Sequence, residues 1–422
     1  MNAINESWQT SAEAGVLRLI TAGSVDDGKS TLIGRLLFDS KGVFADQLAA
    51  IQRSKYKRVA ADEIDLSLLT DGLEAEREQG ITIDVAYRYF ATPTRKFIVA
   101  DAPGHEQYTR NMVTGASTSD VVIILIDATR VVDGQLLVQT KRHSALALLL
   151  GVKHVVVAVN KMDLLDWDRA AFDRIRDAYA QLAQSLEIAQ FHIIPLSALR
   201  GDNVVRTSEH TPWYDGPPLL SLLETLPVDS VESAQGDPRF FVQWVVRHGG
   251  HDIDNFRGYA GQLSSGRLSV GDEILVLPSG ATAKVARLVR GLEDEPFLLA
   301  GDSGVIVLDR DVDISRGDLI VVAGDSPVIG KQFQVELCWL DQQALSPARS
   351  YWLKQGTRLT QAKVREVHSR RDNQTLLHVQ DGLGLAMNDI GLVTLATRDA
   401  LAIDDYAKNI GTGAFILIDT AT

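Results

Sequence analysis

Gly23-Ser24-Val25-Asp26-Asp27-Gly28-Lys29-Ser30 sits between an apolar run, Val16 to Ile20, and a segment with helical spacing, Thr31 to Leu37. The string fits G-x-x-x-x-G-K-[ST], the loop in which a strand turns into a helix N-terminus. No other stretch constrains the fold as much, because such a loop needs a strand behind it, a helix ahead of it and an open carboxyl edge of a sheet around it. The chemistry is equally constrained. Gly23 and Gly28 let backbone approach a polyphosphate, and the helix N-terminus offers unpaired N–H groups. Lys29 adds a point charge toward the outer phosphates, and the Ser30 hydroxyl can join the coordination of Mg2+. The candidate phosphate-binding residues are therefore Gly23, Ser24, Val25, Asp26, Asp27, Gly28, Lys29, Ser30 and Thr31.

Four further elements follow in order. Thr82, in Gly80-Ile81-Thr82-Ile83 ahead of a strand at Val85 to Phe90, can offer a hydroxyl to Mg2+ and an N–H to a terminal phosphate, so its segment would order when that phosphate is present. Lys96 to Ala100 reads as a buried strand ending in Asp101-Ala102-Pro103-Gly104-His105. An Asp at such a strand end holds Mg2+, commonly through water, and Gly104 supplies an N–H that can sense a phosphate. The strand Val155 to Val159 delivers Asn160-Lys161-Met162-Asp163. A carboxylate at Asp163 can accept from guanine N1–H and the 2-amino group together, whereas adenine offers a lone pair at N1 and no 2-amino donor. Lys161 can cover the base, Asn160 can tie the base loop to the phosphate loop, and a backbone N–H in Ser197-Ala198-Leu199 can meet guanine O6. Strands alternating with helices at this spacing predict a mostly parallel sheet with helices on both faces.

At 422 residues the chain is too long for one core of ordinary size. A polar stretch at 228 to 238 marks a boundary, after which short strands alternate with Gly-Asp turns at 271, 301, 317 and 324. The expected layout is an α/β domain over 1–230, a β-barrel over 231–329 and a second β-barrel over 330–422. A net charge of -13 argues against bulk-charge binding of nucleic acid, and the basic string Arg53 to Arg58 has few aromatics among its charges. One cysteine, Cys338, excludes an intrachain disulfide. The apolar runs at 121–126 and 144–150 are far short of a membrane span, so a cytoplasmic protein is expected. His248 and His251 form an H-x-x-H without further clustered ligands, which does not make a metal site.

Taken together these elements resemble the GTPases of the elongation factor Tu superfamily, and within it the large GTP-binding subunits of bacterial sulfate adenylyltransferase. Val25-Asp26-Asp27-Gly28-Lys29, the segment Asp71 to Phe90, the string Gly104 to Met112 and residues 200 to 218 with Pro212-Trp213-Tyr214 carry that narrower likeness. The resemblance implies a heteromeric enzyme in which a smaller ATP-binding subunit transfers adenylyl from ATP to sulfate, while this chain hydrolyses GTP with Mg2+ and couples that hydrolysis to the transfer. By the family pattern His105 orients the attacking water, Lys29 and Mg2+ neutralise phosphate charge, and Thr82 and Gly104 carry the switch. An adenylylsulfate kinase, fused or associated, is a further partner that the resemblance allows. The rival reading is a translational GTPase that delivers aminoacyl-tRNA, which shares every nucleotide-binding element.

Overall fold

The computed structural model describes residues 15–40, 64–70, 85–104, 109–227, 236–250, 253–324, 326–372, 378–380 and 384–420. Two compact units divide the chain, Met1–Val228 and Asp229–Arg371 with His378–Thr422.

The first unit is built on a six-stranded sheet of order β2-β3-β1-β4-β5-β6. Its strands are β1 (Val16–Ala22), β2 (Ala86–Ala91), β3 (Lys96–Asp101), β4 (Val121–Asp127), β5 (His154–Asn160) and β6 (Phe191–Pro195). All neighbours are parallel except the β2–β3 pair. The sequence of β4, Val-Val-Ile-Ile-Leu-Ile-Asp, is apolar at both parities because all seven residues are buried, as expected of a central strand covered on both faces. Parallel order forces each crossover through a helix, so the strand ends carrying Ala22, Asp101, Asp127 and Asn160 gather along one edge.

The helices are α1 (Lys29–Asp39), α2 (Thr109–Ala116), α3 (Val138–Leu149), α4 (Arg169–Ser185) and α5 (Leu219–Thr225). On α4 the Asp168 side chain caps the first turn by accepting the Ala170 N–H at 2.9 Å, and Ala171, Phe172, Ile175, Tyr179, Leu182 and Ala183 form its buried stripe. The last carbonyls of a helix have no partner within the helix. At the end of α5, Arg95, 3% exposed, serves three of them, donating to the Leu223, Glu224 and Leu226 oxygens at 3.0, 3.4 and 2.5 Å. Asn203 organises the loop at 200 to 218: fully buried, it donates to the Pro195 carbonyl and the Thr211 hydroxyl and accepts the Ser208 N–H.

The second unit holds two antiparallel domains. In the first, strands β7 (Arg239–Gly250), β8 (Ile253–Ser265), β10 (Glu273–Leu277), β11 (Ala281–Arg290), β14 (Ser303–Leu308) and β15 (Leu319–Val322) pair in the order β10-β15-β7-β8-β14-β11, with the short β12 (Glu293–Glu295) beside β11 and a separate pair of β9 (Arg267–Ser269) and β13 (Phe297–Leu299). A further β10–β11 pairing closes that ring into a barrel. Three of its turns share one device, in which an Asp carboxylate accepts the N–H three residues back: Ser269 to Asp272, Leu299 to Asp302 and Ser315 to Asp318 at 2.8 to 2.9 Å. Ala386 and Asp389 repeat it in the last domain. There β16 (Val328–Cys338), β20 (Ile390–Ile403), β18 (Arg358–Arg371), β17 (Tyr351–Gln355) and β21 (Ile416–Asp419) pair in that order, with the two-residue β19 (His378–Val379) on β18, around a core that includes Tyr351, Leu353, Val364, Val393 and Leu395.

A buried ion pair fastens the two antiparallel domains to each other. Arg239, at the start of β7 and 1% exposed, makes a two-point contact with Asp404 just beyond β20, Nε to Oδ2 at 2.8 Å and Nη2 to Oδ1 at 3.1 Å. Phe241, Leu277, Leu319, Val321 and Ala402 form an apolar cluster beside it.

Candidate functional site

The phosphate loop leaves β1 at Gly23 and enters α1 at Lys29, with Asp26 held at φ +67°. Lys29 is 6% exposed, and its ammonium donates to the Ser24 and Gly23 carbonyls at 2.7 and 3.2 Å. Burial lowers its pKa, while Asp101, Asp27 and Asp26 oppose that shift. The charge is thus concentrated inside the loop rather than spread into solvent. Gly104, beyond β3, lies against the same loop. A β-carbon there would stand 2.9 Å from the Gly23 oxygen and would collide with the Lys29 ammonium, so glycine is the residue that fits.

Asp101 ends β3 with 1% exposure; its Oδ2 accepts from the Ser30 hydroxyl at 3.2 Å and its Oδ1 from the Thr21 hydroxyl at 3.4 Å. Ser30 and Asp101 therefore present two hard oxygen donors side by side. This set fits Mg2+, which takes one or two protein oxygens and completes its shell with water and phosphate. Among the described residues no group of three or more His, Cys, Asp or Glu could hold a metal on its own. Thr82, His105 and His251 lie outside the described residues, as does the basic string Arg53 to Arg58.

Asn160 at the end of β5 connects the phosphate loop to the base loop. Its Nδ2 donates to the Asp27 carbonyl at 2.7 Å, and its Oδ1 accepts the Ala198 N–H at 2.9 Å. Lys161 follows at φ +63°, and its ammonium pairs with Asp127 at 2.7 Å. Burial pushes the Asp127 carboxyl up, but the Lys161 and Thr129 donors hold it below its ordinary value. Asp163 lies on the short turn Met162–Leu165, with the Arg200 Nε 3.8 Å from its Oδ2. Ser197 is 1% exposed and accepts the Arg200 N–H at 3.2 Å.

The sequence reading gave no role to several residues that shape this site. Arg35 on α1 donates to the Ala198 carbonyl at 3.2 Å and to the Leu199 carbonyl, and so pins the loop that would face the base. Arg130 reaches the phosphate loop from the turn after β4, and Asp127 anchors Lys161. For Asp127 a signal existed, since it ends an apolar strand as Asp101 does. Arg35 and Arg130 act on partners more than a hundred positions away in sequence, which leaves no local pattern to read. His143 on α3 is buried and pushed down to about 3 by burial and by Lys29 and Arg142 nearby, so it stays uncharged near neutral pH.

The family of the elongation factor Tu GTP binding domain matches residues 15–230, and the family described as GTP-eEF1A C-terminal domain-like matches residues 332–422. Sulfate adenylyltransferase subunit 1 of Laribacter hongkongensis is 50% identical over 406 residues, covering 96% of this chain and 82% of that one. This chain belongs to the sulfate adenylyltransferase subunit 1 family. The bifunctional enzyme CysN/CysC of Mycobacterium tuberculosis is 49% identical over 96% of this chain, which spans 66% of its length. The GTPase-like domain of S. cerevisiae Ski7, solved bound to GTP, shares the fold at 16% identity and a TM-score of 0.50, over 99% of this chain and 97% of that one. The elongation factor Tu-type domain thus binds GTP. Among the described residues no helix is long and apolar enough to cross a membrane.

Proposed function

We propose that this chain hydrolyses GTP and couples that hydrolysis to adenylyl transfer from ATP to sulfate on a smaller partner subunit. The observation that carries the reading is the Asn160 bridge, which joins the phosphate loop to the loop at Ala198 from the strand end that leads to Asp163, in a chain half identical to a sulfate adenylyltransferase subunit 1. The mixed anhydride of adenylate and sulfate is a high-energy product, which gives the coupling its chemical reason. We further propose three domains, over 1–230, 231–329 and 330–422.

Within the site Lys29 would meet the outer phosphates, and Ser30 and Asp101 would hold Mg2+. When bound, the ion neutralises phosphate charge. Gly104 places its N–H beside the loop, where it responds to a terminal phosphate. Thr82 would offer its hydroxyl to the metal and carry the switch with Gly104, and His105 would orient water as the family pattern implies. Asp163 accepts the N1–H and 2-amino group of guanine, the Lys161 stem covers the base, and a backbone N–H in Ser197 to Leu199 faces O6.

Two measurements test this reading. In the first, the chain is purified with the small subunit and pyrophosphate release from ATP and sulfate is followed with and without GTP. GTP should accelerate release; an unchanged rate, together with tight binding of charged tRNA, would sink the proposal in favour of a translational role. In the second, Asp163→Asn is titrated with guanine and xanthine nucleotides. Guanine affinity should drop about tenfold to a hundredfold, as for loss of hydrogen bonds to a charged acceptor. Xanthine affinity should rise, because an amide can donate to the extra carbonyl. Unaltered guanine selectivity would remove Asp163 from base recognition.

A further inference from the structure

The phosphate loop carries a carboxylate where a polyanion has to bind. Asp27 has no exposed surface; its Oδ2 accepts the Ser24 N–H at 2.5 Å, and its Oδ1 faces the Arg130 Nη1 at 3.4 Å. Its main chain is fixed as well, since its carbonyl accepts from Asn160. A buried charge is costly unless it is partnered.

The charges facing Asp27 come from three elements. Lys29 stands at the start of α1, Asp127 ends β4, and Arg130 lies on the turn beyond it. Asp127 is already paired with Lys161. Lys29 faces Asp101 and Asp26 as well as Asp27. Lys29 is therefore shared between Asp27 and other carboxylates before any phosphate arrives, and a second cation beside Asp27 relieves it. Arg130 supplies that cation: besides facing Asp27, its Nη1 donates to the Val25 carbonyl at 2.9 Å, and its side chain is 43% exposed. Its guanidinium therefore rests on the loop at residues 25 to 27, whereas Lys29 is turned to the carbonyls of 23 and 24.

We infer that Arg130 is a positioning residue of the GTP site, neutralising Asp27 so that Lys29 remains available to the phosphates. The inference rests on the loop being the GTP site, which titration of the unaltered chain tests separately. Two cations thus divide the work. Arg130 balances the loop's own buried carboxylate, and Lys29 meets the ligand.

The test uses the full chain and fluorescent analogues of GTP and GDP, with Arg130→Gln, Arg130→Lys, and Arg130→Gln combined with Asp27→Asn. Arg130→Gln should weaken GTP binding about tenfold or more, the scale of an uncompensated buried charge, and GDP binding less, because GTP carries the greater charge. Arg130→Lys should retain most of the affinity. Adding Asp27→Asn to Arg130→Gln should recover most of the loss, which a role in packing alone would not produce. Affinity unaffected by Arg130→Gln overturns the inference. So does a double variant as weak as the single one, which would place Arg130 on the phosphates instead. Should Arg130→Gln fail to fold, the double variant must fold and bind; failure of both also overturns it. An unaltered chain that binds neither analogue would sink the reading of the loop as the GTP site.

Discussion

Lys29→Ala is expected to lower GTP affinity about a hundredfold or more, the scale of removing one partner from a buried charge pair. The reason lies in where the ammonium sits. It is desolvated before any ligand arrives, held by two loop carbonyls and faced by Asp101, Asp27 and Asp26. Its removal takes away the loop's point charge toward the phosphates and also deprives the buried Asp27 and Asp101 of a facing cation. Two quantities should therefore fall together: the melting temperature without nucleotide should drop, and the shift produced by GTP should vanish. Nucleotide titration and thermal melting of the same samples check both. A variant that keeps its GTP-induced shift would show that the loop does not hold the phosphates through Lys29.

Arg239→Ala is expected to destabilise the second unit by about 3–5 kcal/mol, because it strands a largely buried carboxylate. Asp404 is 16% exposed and keeps the Thr412 hydroxyl at 2.6 Å, but loses its only two-point partner among the described residues. Urea unfolding followed at the barrel tryptophans measures the loss. The pH dependence gives a second readout. Burial pushes the Asp404 carboxyl up, yet the Arg239 and Thr412 hydrogen bonds hold it below its ordinary 3.8. The pair's contribution is therefore complete above pH 3.8 and is lost as pH falls through the lower folded value. In Arg239→Ala burial, the largest influence, remains and only the Thr412 hydrogen bond and Lys408 oppose it, so the folded pKa should rise. The variant's deficit should then shrink on acidification from neutral pH. A deficit that stays constant down to pH 4 would mean that packing, not charge, accounts for the loss.

These two residues also mark the limit of what the chain discloses on reading. The phosphate loop, the seven apolar residues of β4 and the aspartate ending β3 were legible, because a strand buried on both faces admits few polar residues before its end. Asn160 to Asp163 was legible for the same reason. The helix α4 was not: five charged residues, Arg169, Asp173, Arg174, Arg176 and Asp177, break up its apolar stripe in the linear sequence, although they share the solvent side of the helix. The strand β17 is only five residues long and includes a lysine. The apolar string Phe415-Ile416-Leu417-Ile418 enters a strand only at Ile416, after a short helical turn over Ile410–Gly413 that Asn409 caps. Arg35, Arg130 and Arg239 fall in a third class. Each is an ordinary surface residue by type, and its importance comes from a partner that only the folded chain brings near.

The single side-chain amide of Asn160 has a consequence for selectivity. Because it grips the phosphate loop with one end and the base loop with the other, the two halves of a nucleotide do not bind independently. Ordering either loop reduces the entropy cost of ordering the other, and the effect is the same in both directions. A wrong base should thus be penalised twice, once at its own edge and again through a slackened grip on the phosphates. Discrimination between guanine and adenine is expected to grow with the length of the phosphate chain, and to lose that dependence in Asn160→Ala, as nucleotide titrations would check.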